Sequence, residues 1–195
     1  MNLSLINPYI RLAMESRIPA GHNIARRVIY DYELIYLEEG NFTFVYNGEA
    51  YYCKTGDIFF ICPGIAHSFY LDYGEISQPH IHFDITHMSD SRQIPVCFKD
   101  LKDIGSEERK NIREDIFRKY PQKPFVVFSD QKAALETFYA IVNNQKPSSL
   151  TQKGLLVQLI DMIITDNFPE LFGDNFEFVY SIEEHNLRNA REFGK

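Results

Sequence analysis

Histidine side chains that recur on one face of a strand are the first candidates for chemistry in this sequence. Residues alternate between Ile76 and Ile85, so His80 and His82 share a face, about 7 Å apart by strand rise. Imidazole is a common ligand of divalent transition metals, and a site formed by His67, His80 and His82 is therefore one hypothesis. The alternative is that these histidines are solvated or hydrogen-bonded on a polar strand face.

His67 would be positioned by a short buried strand between two turns. Gly56-Asp57 opens a turn, residues 58–62 form an unbroken apolar run, and Pro63-Gly64 reverses the chain before His67. This order resembles the second conserved motif of the cupin superfamily, whose members are small antiparallel barrels with a central pocket. The asparagine that cupins often place after the histidine is absent here. The motif indicates a fold, and what occupies the pocket is a separate question.

Catalytic cupins bind a metal through two histidines and a glutamate of their first motif, together with the histidine of the second motif. At the corresponding positions this chain has Asp31, Glu33 and Glu38, and it keeps His67. Three carboxylates with one imidazole suit harder ions at weaker affinity. We therefore expect no metal, no cofactor and no catalytic residue.

The elements around the motif are predicted to be strands. The stretch 28–37 is rich in β-branched and aromatic residues, and the stretches 68–73 and 76–85 continue the pattern. Asn47-Gly48 predicts a type I′ hairpin, whose two-residue loop sets the register of the flanking strands. The predicted facing pairs are Tyr46 with Glu49, Phe44 with Tyr51, and Phe42 with Cys53.

Helical signals dominate after about residue 90. Ser106, followed by two glutamates, predicts a helix start, with Ile112, Ile116 and Phe117 at helical spacing. Further helices are predicted from Gln131 to Asn143 and after residues 147–149. The last of these has a wide apolar face, which either packs within the chain or forms a subunit interface. A short helical face is also predicted over residues 9–16, and residues 181–184 fit a capping box that would start a short last helix.

A wider set of residues resembles the N-terminal half of AraC-type transcriptional regulators. The resemblance is carried by the strand of residues 32–36 closing on Gly40, by the turn residues around His67, and by the His82-Phe83 dipeptide. It covers roughly residues 24–85, with weaker support to about residue 166. It implies a cupin-like barrel that binds a small effector, often a sugar, and helices that pair two subunits.

The resemblance also implies a division of the chain and a set of partners. We expect an N-terminal arm (1–20), a cupin-like jelly-roll barrel (21–95) and a helical dimerisation segment (96–195), a mainly β fold with C-terminal helices. Nothing after Phe168 resembles the paired helix-turn-helix motifs with which such regulators bind DNA. We therefore expect either a piece of a longer regulator, which binds DNA through a domain missing from this chain, or a stand-alone sensor.

Ligand positions of the family can be transferred to matching positions in this chain. They give the arginine pair near the first strand, an aromatic residue after the motif histidine, and two residues before His82-Phe83. Glu33, His67 and His82 are added to these five positions. The predicted ligand-binding residues are therefore Arg26, Arg27, Glu33, His67, Phe69, Gln78, His80 and His82. The alternatives are core packing for Phe69 and a solvated strand face for Gln78 and His80.

The role of Glu33 depends on which face of its strand is buried. If Asp31, Glu33 and Ile35 point inward, Glu33 is a buried acid that needs a partner such as Arg26 or Arg27. If the opposite face is buried, Glu33 is a surface carboxylate.

Composition restricts the classes of function. A formal charge of −7 and a pI near 5.4 argue against nucleic-acid binding by these residues alone. No apolar run is long enough to span a membrane, no signal peptide opens the chain, and three scattered cysteines favour buried thiols, so we expect a cytoplasmic protein.

These observations predict a sensing and dimerising domain that binds a small polar effector. The alternative is a metal-dependent cupin enzyme such as a sugar isomerase or dioxygenase. A third alternative, a dimerisation module without an effector, predicts an interior filled by aromatic side chains.

Overall fold

In the residues that the structure describes, three antiparallel sheets are followed by two α-helices. The computed structural model describes residues 6–71, 74–120, 123–144 and 149–172. The strands are β1 (Tyr9–Met14), β2 (Arg17–Ile18), β3 (Ile24–Arg27), β4 (Tyr32–Tyr36), β5 (Asn41–Tyr46), β6 (Glu49–Lys54), β7 (Ile58–Ile61), β8 (His67–Tyr70), β9 (Ile76–Ser77) and β10 (His80–Asp84). The helices are α1 (Gln131–Val142) and α2 (Leu150–Asn167). The expected class, a mainly β jelly-roll fold with C-terminal helices, is confirmed.

Two four-stranded sheets pack against each other. One sheet has the order β1-β10-β4-β7, the other has the order β3-β8-β5-β6, and β2 pairs with β9 in a small third sheet. In the described residues these sheets are not joined into one closed barrel. The jelly roll is therefore two packed sheets around an interior.

The sheet that contains β4 and β10 is buried on both faces. Tyr32, Leu34 and Phe83 belong to a core shared with the helices, whereas Ile35 and Ile61 belong to the core between the two sheets. This double burial explains why the strand after Gly56-Asp57 is continuously apolar rather than alternating.

The hairpin between β5 and β6 forms as predicted. Asn47 and Gly48 both have positive φ, 51° and 89°, as a type I′ turn requires. All three predicted facing pairs are observed in the register of the two strands.

Two of the predicted helices form, and the apolar face of the second packs within the chain. Asp130 and Ser149 cap α1 and α2 by accepting hydrogen bonds from backbone amides of the first turn. Helix α2 contacts α1 and β1. Its buried side chains include Leu156, Leu159, Ile160, Ile163 and Ile164. Neither described helix combines the length and the apolar character that crossing a membrane requires.

Two helix predictions are wrong. The predicted helix after Ser106 is reduced to a 3₁₀ turn at Glu108–Asn111. The reason is that the following backbone amides bond to residues at the start of β4 and just before it. The Arg113 amide donates to the Tyr30 carbonyl, and the Ile116 amide donates to the Tyr32 hydroxyl. Residues 9–14 form β1 rather than a helix, because pairing with β10 satisfies their backbone groups. The short last helix predicted to start at residues 181–184 lies outside the described residues.

The predicted strand over residues 28–37 is also interrupted. Backbone pairing passes from β3 in one sheet to β4 in the other, and Val28 between them bridges to Lys99. This crossing places Arg27 of β3 close to Glu33 of β4, with 3.9 Å between a guanidinium nitrogen and a carboxylate oxygen.

Candidate functional site

A cavity of about 360 Å³ lies at one end of the interior, beside β1, β2, β3 and β10. Its volume falls in the range of small-molecule sites. Its polar lining includes Arg27, Glu33, Gln78 and His80, and its apolar lining includes Leu12, Met14, Ile18 and Phe98. The cavity therefore combines charged, amide and imidazole groups with an apolar wall.

Glu33 is a buried acid at this cavity, so the inward-facing alternative is the one that the structure adopts. Its side chain is only 2% exposed, and Oε1 lies 3.3 Å from Nε2 of His82. Burial alone would raise the pKa of Glu33, but the charges of His82 and Arg27 outweigh it and lower the pKa. Glu33 is therefore an anion held in the interior.

His82 lies between two carboxylates. Its Nδ1–H donates to Oδ1 of Asp31 at 3.2 Å, and its Nε2 contacts Glu33. Burial opposes protonation, but the two carboxylates outweigh it and raise the pKa of His82 to about 10. Burial is the largest effect at Asp31 and raises its pKa despite the hydrogen bond from His82. Without a bound cation, the imidazole of His82 is therefore charged.

Arg27 connects the cavity to the motif histidine. Its Nε donates to Nε2 of His67 at 3.1 Å, and its guanidinium lies 4.5 Å from the ring centroid of Phe98 and 5.7 Å from that of Phe69. Because Nε2 of His67 accepts this bond, Nδ1 is the donor to the Ile65 carbonyl. Burial and the Arg27 charge lower the pKa of His67 to about 4, so His67 is neutral.

Gln78 and His80 form the next part of the polar wall, beside Glu33. Nδ1 of His80 lies 3.2 Å from the carbonyl oxygen of Gln78, so Nδ1 carries the proton and Nε2 the lone pair. Oε1 of Gln78 is buried and accepts no hydrogen bond in the described part of the chain. Buried acceptors are normally paired, so this oxygen is available to a ligand donor.

The predicted ligand-binding residues occupy three different positions. Arg27, Glu33, Gln78 and His80 line the cavity. His67, Phe69 and His82 lie behind the wall and contact Arg27 or Glu33. Arg26 points elsewhere, because its guanidinium donates to the Asp100 carboxylate at 2.8 Å on the surface.

Sequence reasoning missed Phe98 and Arg11. Phe98 belongs to no strand or helix, so no periodicity pointed to it. Arg11 lies in the segment that was predicted to be helical, and it forms a buried bidentate ion pair with Asp84 at 2.9 and 3.0 Å. For Arg11, the one available signal was that an arginine stands within a run of apolar residues.

The metal set of catalytic cupins is not assembled here. Glu38 accepts hydrogen bonds from Ser77 and Tyr139, and both ring nitrogens of His67 are engaged. Within the described residues, the one group of at least three potential metal ligands is Glu33, His80 and His82, whose ligand atoms lie within 4.8 Å of one another. The hypothetical set of three histidines is thus corrected: Glu33 takes the place of His67.

Residues 11–93, which contain the whole cavity wall except Phe98, match the family described as the AraC-like ligand binding domain. This part of the chain is therefore similar to AraC-like ligand-binding domains. The resemblance predicted from the sequence is therefore confirmed. A comparison with curated proteins gave no match.

Solved structures with a similar arrangement come from several bacteria. A predicted oxalate decarboxylase from Thermotoga maritima is 23% identical over 37% of this chain and 65% of its own, with a TM-score of 0.35. A salicylate 1,2-dioxygenase from Pseudaminobacter salicylatoxidans is 22% identical over 35% and 19%, with a TM-score of 0.33. A conserved protein of unknown function from Streptococcus pyogenes is 15% identical over 38% and 63%, with a TM-score of 0.34. In each case this chain spans less than two thirds of the similar protein.

Proposed function

We propose that this chain is the sensing domain of a cytoplasmic AraC-type transcription regulator and that the cavity binds a small polar effector such as a sugar. The observation that carries the proposal is the cavity of about 360 Å³, lined by a guanidinium, a carboxylate, an amide and an imidazole, within a region that matches a ligand-binding family. Such convergent polar groups beside an apolar wall suit a small molecule with several hydroxyl or carboxylate oxygens.

The interior supports this proposal over a module without an effector. Aromatic rings fill the part between β5, β7 and β8, where the ring of Phe69 lies 4.9 Å from those of both Phe42 and Phe44. The packing ends at Phe69, beyond which Arg27 and the cavity begin. One part of the interior is thus a solid core, and the other part is a space with polar walls.

An effector in this cavity would contact the N-terminal strands. Met14 of β1, which pairs with His80 of β10, and both residues of β2 line the cavity together with Glu33 and His80. A ligand that binds better when these strands are in place would shift the population toward that arrangement. Pairing of two subunits through the helices stays a prediction, with Leu150 and Val157 as exposed apolar side chains of α2.

Ligand binding can be tested by thermal unfolding of the purified chain with a panel of monosaccharides and small carboxylic acids. Binding to the folded state alone raises the melting temperature, by roughly 5–10 °C at a hundredfold excess over Kd for a chain of this size. We expect Arg27→Gln and Gln78→Ala to reduce the shift caused by an active compound, and we expect Arg26→Gln to keep it.

Arg26→Gln is a matched control, because Arg26 neighbours Arg27 in sequence but pairs with Asp100 outside the cavity. Equal shifts in all three variants would show that the compound binds elsewhere. A panel without any active compound would contradict the expected effector classes.

A further inference from the structure

Glu33 and His82 already have the separation of two ligands on one metal ion. Oε1 of Glu33 lies 3.3 Å from Nε2 of His82. Adjacent ligands of a tetrahedral ion with bonds of about 2.0–2.2 Å are roughly 3.3–3.6 Å apart. With His80, the ligand atoms all lie within 4.8 Å, so a small side-chain movement would bring three of them onto one ion.

The far ring nitrogen of each histidine is held by an acceptor. Nδ1 of His82 lies 3.2 Å from the Asp31 carboxylate, and Nδ1 of His80 lies 3.2 Å from the Gln78 carbonyl. Metal-binding histidines almost always donate their second N–H in this way, to a carboxylate or a backbone carbonyl. The arrangement leaves Nε2 of both rings for a metal.

Two of the atoms in the group lack the hydrogen bonds that buried polar atoms normally have. Nε2 of His82 and Oε2 of Glu33 are buried and make no hydrogen bond among the described residues. All three side chains are buried, and His80, the most accessible, is 8% exposed. Their nearest partners are ion-pair contacts, 3.3 Å between Nε2 of His82 and Oε1 of Glu33 and 3.9 Å between Oε2 of Glu33 and Arg27, and a shared ion would give both side chains a coordination bond instead.

The surrounding charges also leave room for a cation. The carboxylates of the connected charged group are those of Asp31, Glu33, Asp84 and Asp90. The guanidiniums that pair with them are those of Arg11, Arg27 and Arg113. With neutral imidazoles the group is therefore one positive charge short of balance, which either a bound metal or a proton on His82 can supply.

We propose that Glu33, His80 and His82 bind a divalent transition-metal ion at the base of the cavity. Two imidazoles and one carboxylate suit Zn²⁺ or Fe²⁺ and differ from the oxygen-only sites that Mg²⁺ and Ca²⁺ prefer. Because Glu33 and His80 line the cavity, the remaining coordination positions face the effector space. An oxygen of the effector would bind there, a step that rests on the proposed function. This site differs from the metal-free cavity expected from the sequence.

The test uses the full chain without an affinity tag, stripped of metal by a chelator and then dialysed. Zn²⁺ binding is measured by calorimetry, and Co²⁺ binding by its visible absorption, which reports the ligands. We expect stoichiometric binding by the wild type and by His87→Ala, which removes an exposed histidine outside the site. Loss of a ligand in His80→Ala or Glu33→Gln should weaken binding by more than about 100-fold.

A further variant separates metal binding from a structural role. Asp31→Asn removes the carboxylate behind His82 and should weaken the metal by about 10–100-fold while all three ligands remain. His80→Ala decides the result if Glu33→Gln does not fold, because His80 lies outside the row of buried ion pairs. Unchanged Zn²⁺ affinity in His80→Ala, or no binding by the wild type, would overturn the proposal. The sugar and acid panel is run once in chelator and once with added Zn²⁺. A compound active in either condition supports the effector proposal, whereas the calorimetry alone decides the metal site, so the two failures give separate results.

Discussion

The motif histidine, His67, reaches the cavity only through Arg27. Its ring accepts the Arg27 Nε–H on one side and donates to the Ile65 carbonyl on the other. A protonated ring would lose the first bond and place a second cation beside the guanidinium. His67 therefore positions Arg27, and its own chemistry is that of a buried neutral imidazole.

This environment makes stability depend on pH. The folded-state pKa of His67 is about 4, below the ordinary value of about 6.5. Between these two pH values the unfolded chain therefore binds more protons than the folded chain. The stability that neutral His67 contributes is fully present above about pH 6.5 and is lost as the pH falls toward about 4. The change in the free energy of unfolding is roughly 3 kcal/mol. We expect His67→Gln to remove this part of the pH dependence, as measured by urea unfolding at a series of pH values.

The exposed His87 offers a control for the pH experiment. His87→Gln should keep the slope of the wild type. If His67→Gln and His87→Gln both retain the full acid sensitivity, the loss of stability at low pH arises from other groups.

At the level of elements, helix α2 covers the outer face of the sheet that carries the cavity residues. Leu156 is fully buried against this face, whereas the next residue, Val157, is 40% exposed. This division follows from the helical period and agrees with packing inside the chain. The outward face of this sheet is covered by apolar residues and supplies the apolar packing. The inward face can therefore hold charged residues.

The two neighbouring residues give a matched pair of substitutions. Leu156→Ala should lower the free energy of unfolding by about 2–5 kcal/mol through lost packing and a residual cavity. Val157→Ala should change it by no more than about 0.5 kcal/mol. Chemical denaturation at two protein concentrations provides the measurement. A large, concentration-dependent effect of Val157→Ala would instead indicate that this face is a subunit interface.

Across the whole molecule, a row of buried charges connects the cavity to the surface. It runs from Arg27 and Glu33 through His82 and Asp31 to Arg11, and from there through Asp84 to Arg113 and Asp90. The members come from β1, β3, β4, β10 and three connecting segments, so the row links distant parts of the chain. Each buried charge has an opposite charge beside it, which offsets the cost of removing it from water.

Arg11 and Arg17 test this arrangement, because both are paired arginines near the N-terminus. Arg11 is 2% exposed and pairs with buried Asp84, whereas Arg17 is 61% exposed and pairs with Glu75. Arg11→Met removes one of the two cations beside each of the buried carboxylates Asp31 and Asp84 and should cost about 3–5 kcal/mol in unfolding free energy. Arg17→Met should cost no more than about 1 kcal/mol. Similar small effects of both substitutions in urea unfolding would contradict a stabilising role for the buried row.

The local features of this protein could be predicted from its sequence. The Asn47-Gly48 turn specified the register of its hairpin, and the periodicity of residues 131–143 and 150–167 specified two helices. Each depends on a few neighbouring residues, whose backbone preferences and spacing are properties of the sequence itself. The family resemblance depended on residues in the same local stretches.

Only the tertiary structure decided how the site is assembled. In the folded chain Glu33 points inward, and Arg26 lies on the surface. Arg27 lies in the cavity wall with Phe98 beside its guanidinium. The tertiary structure also turned residues 9–14 into a strand and kept residues 112–117 out of a helix. These outcomes depend on pairing between segments far apart in the chain, where hydrogen bonds and burial in the fold outweigh the local preference of any one segment.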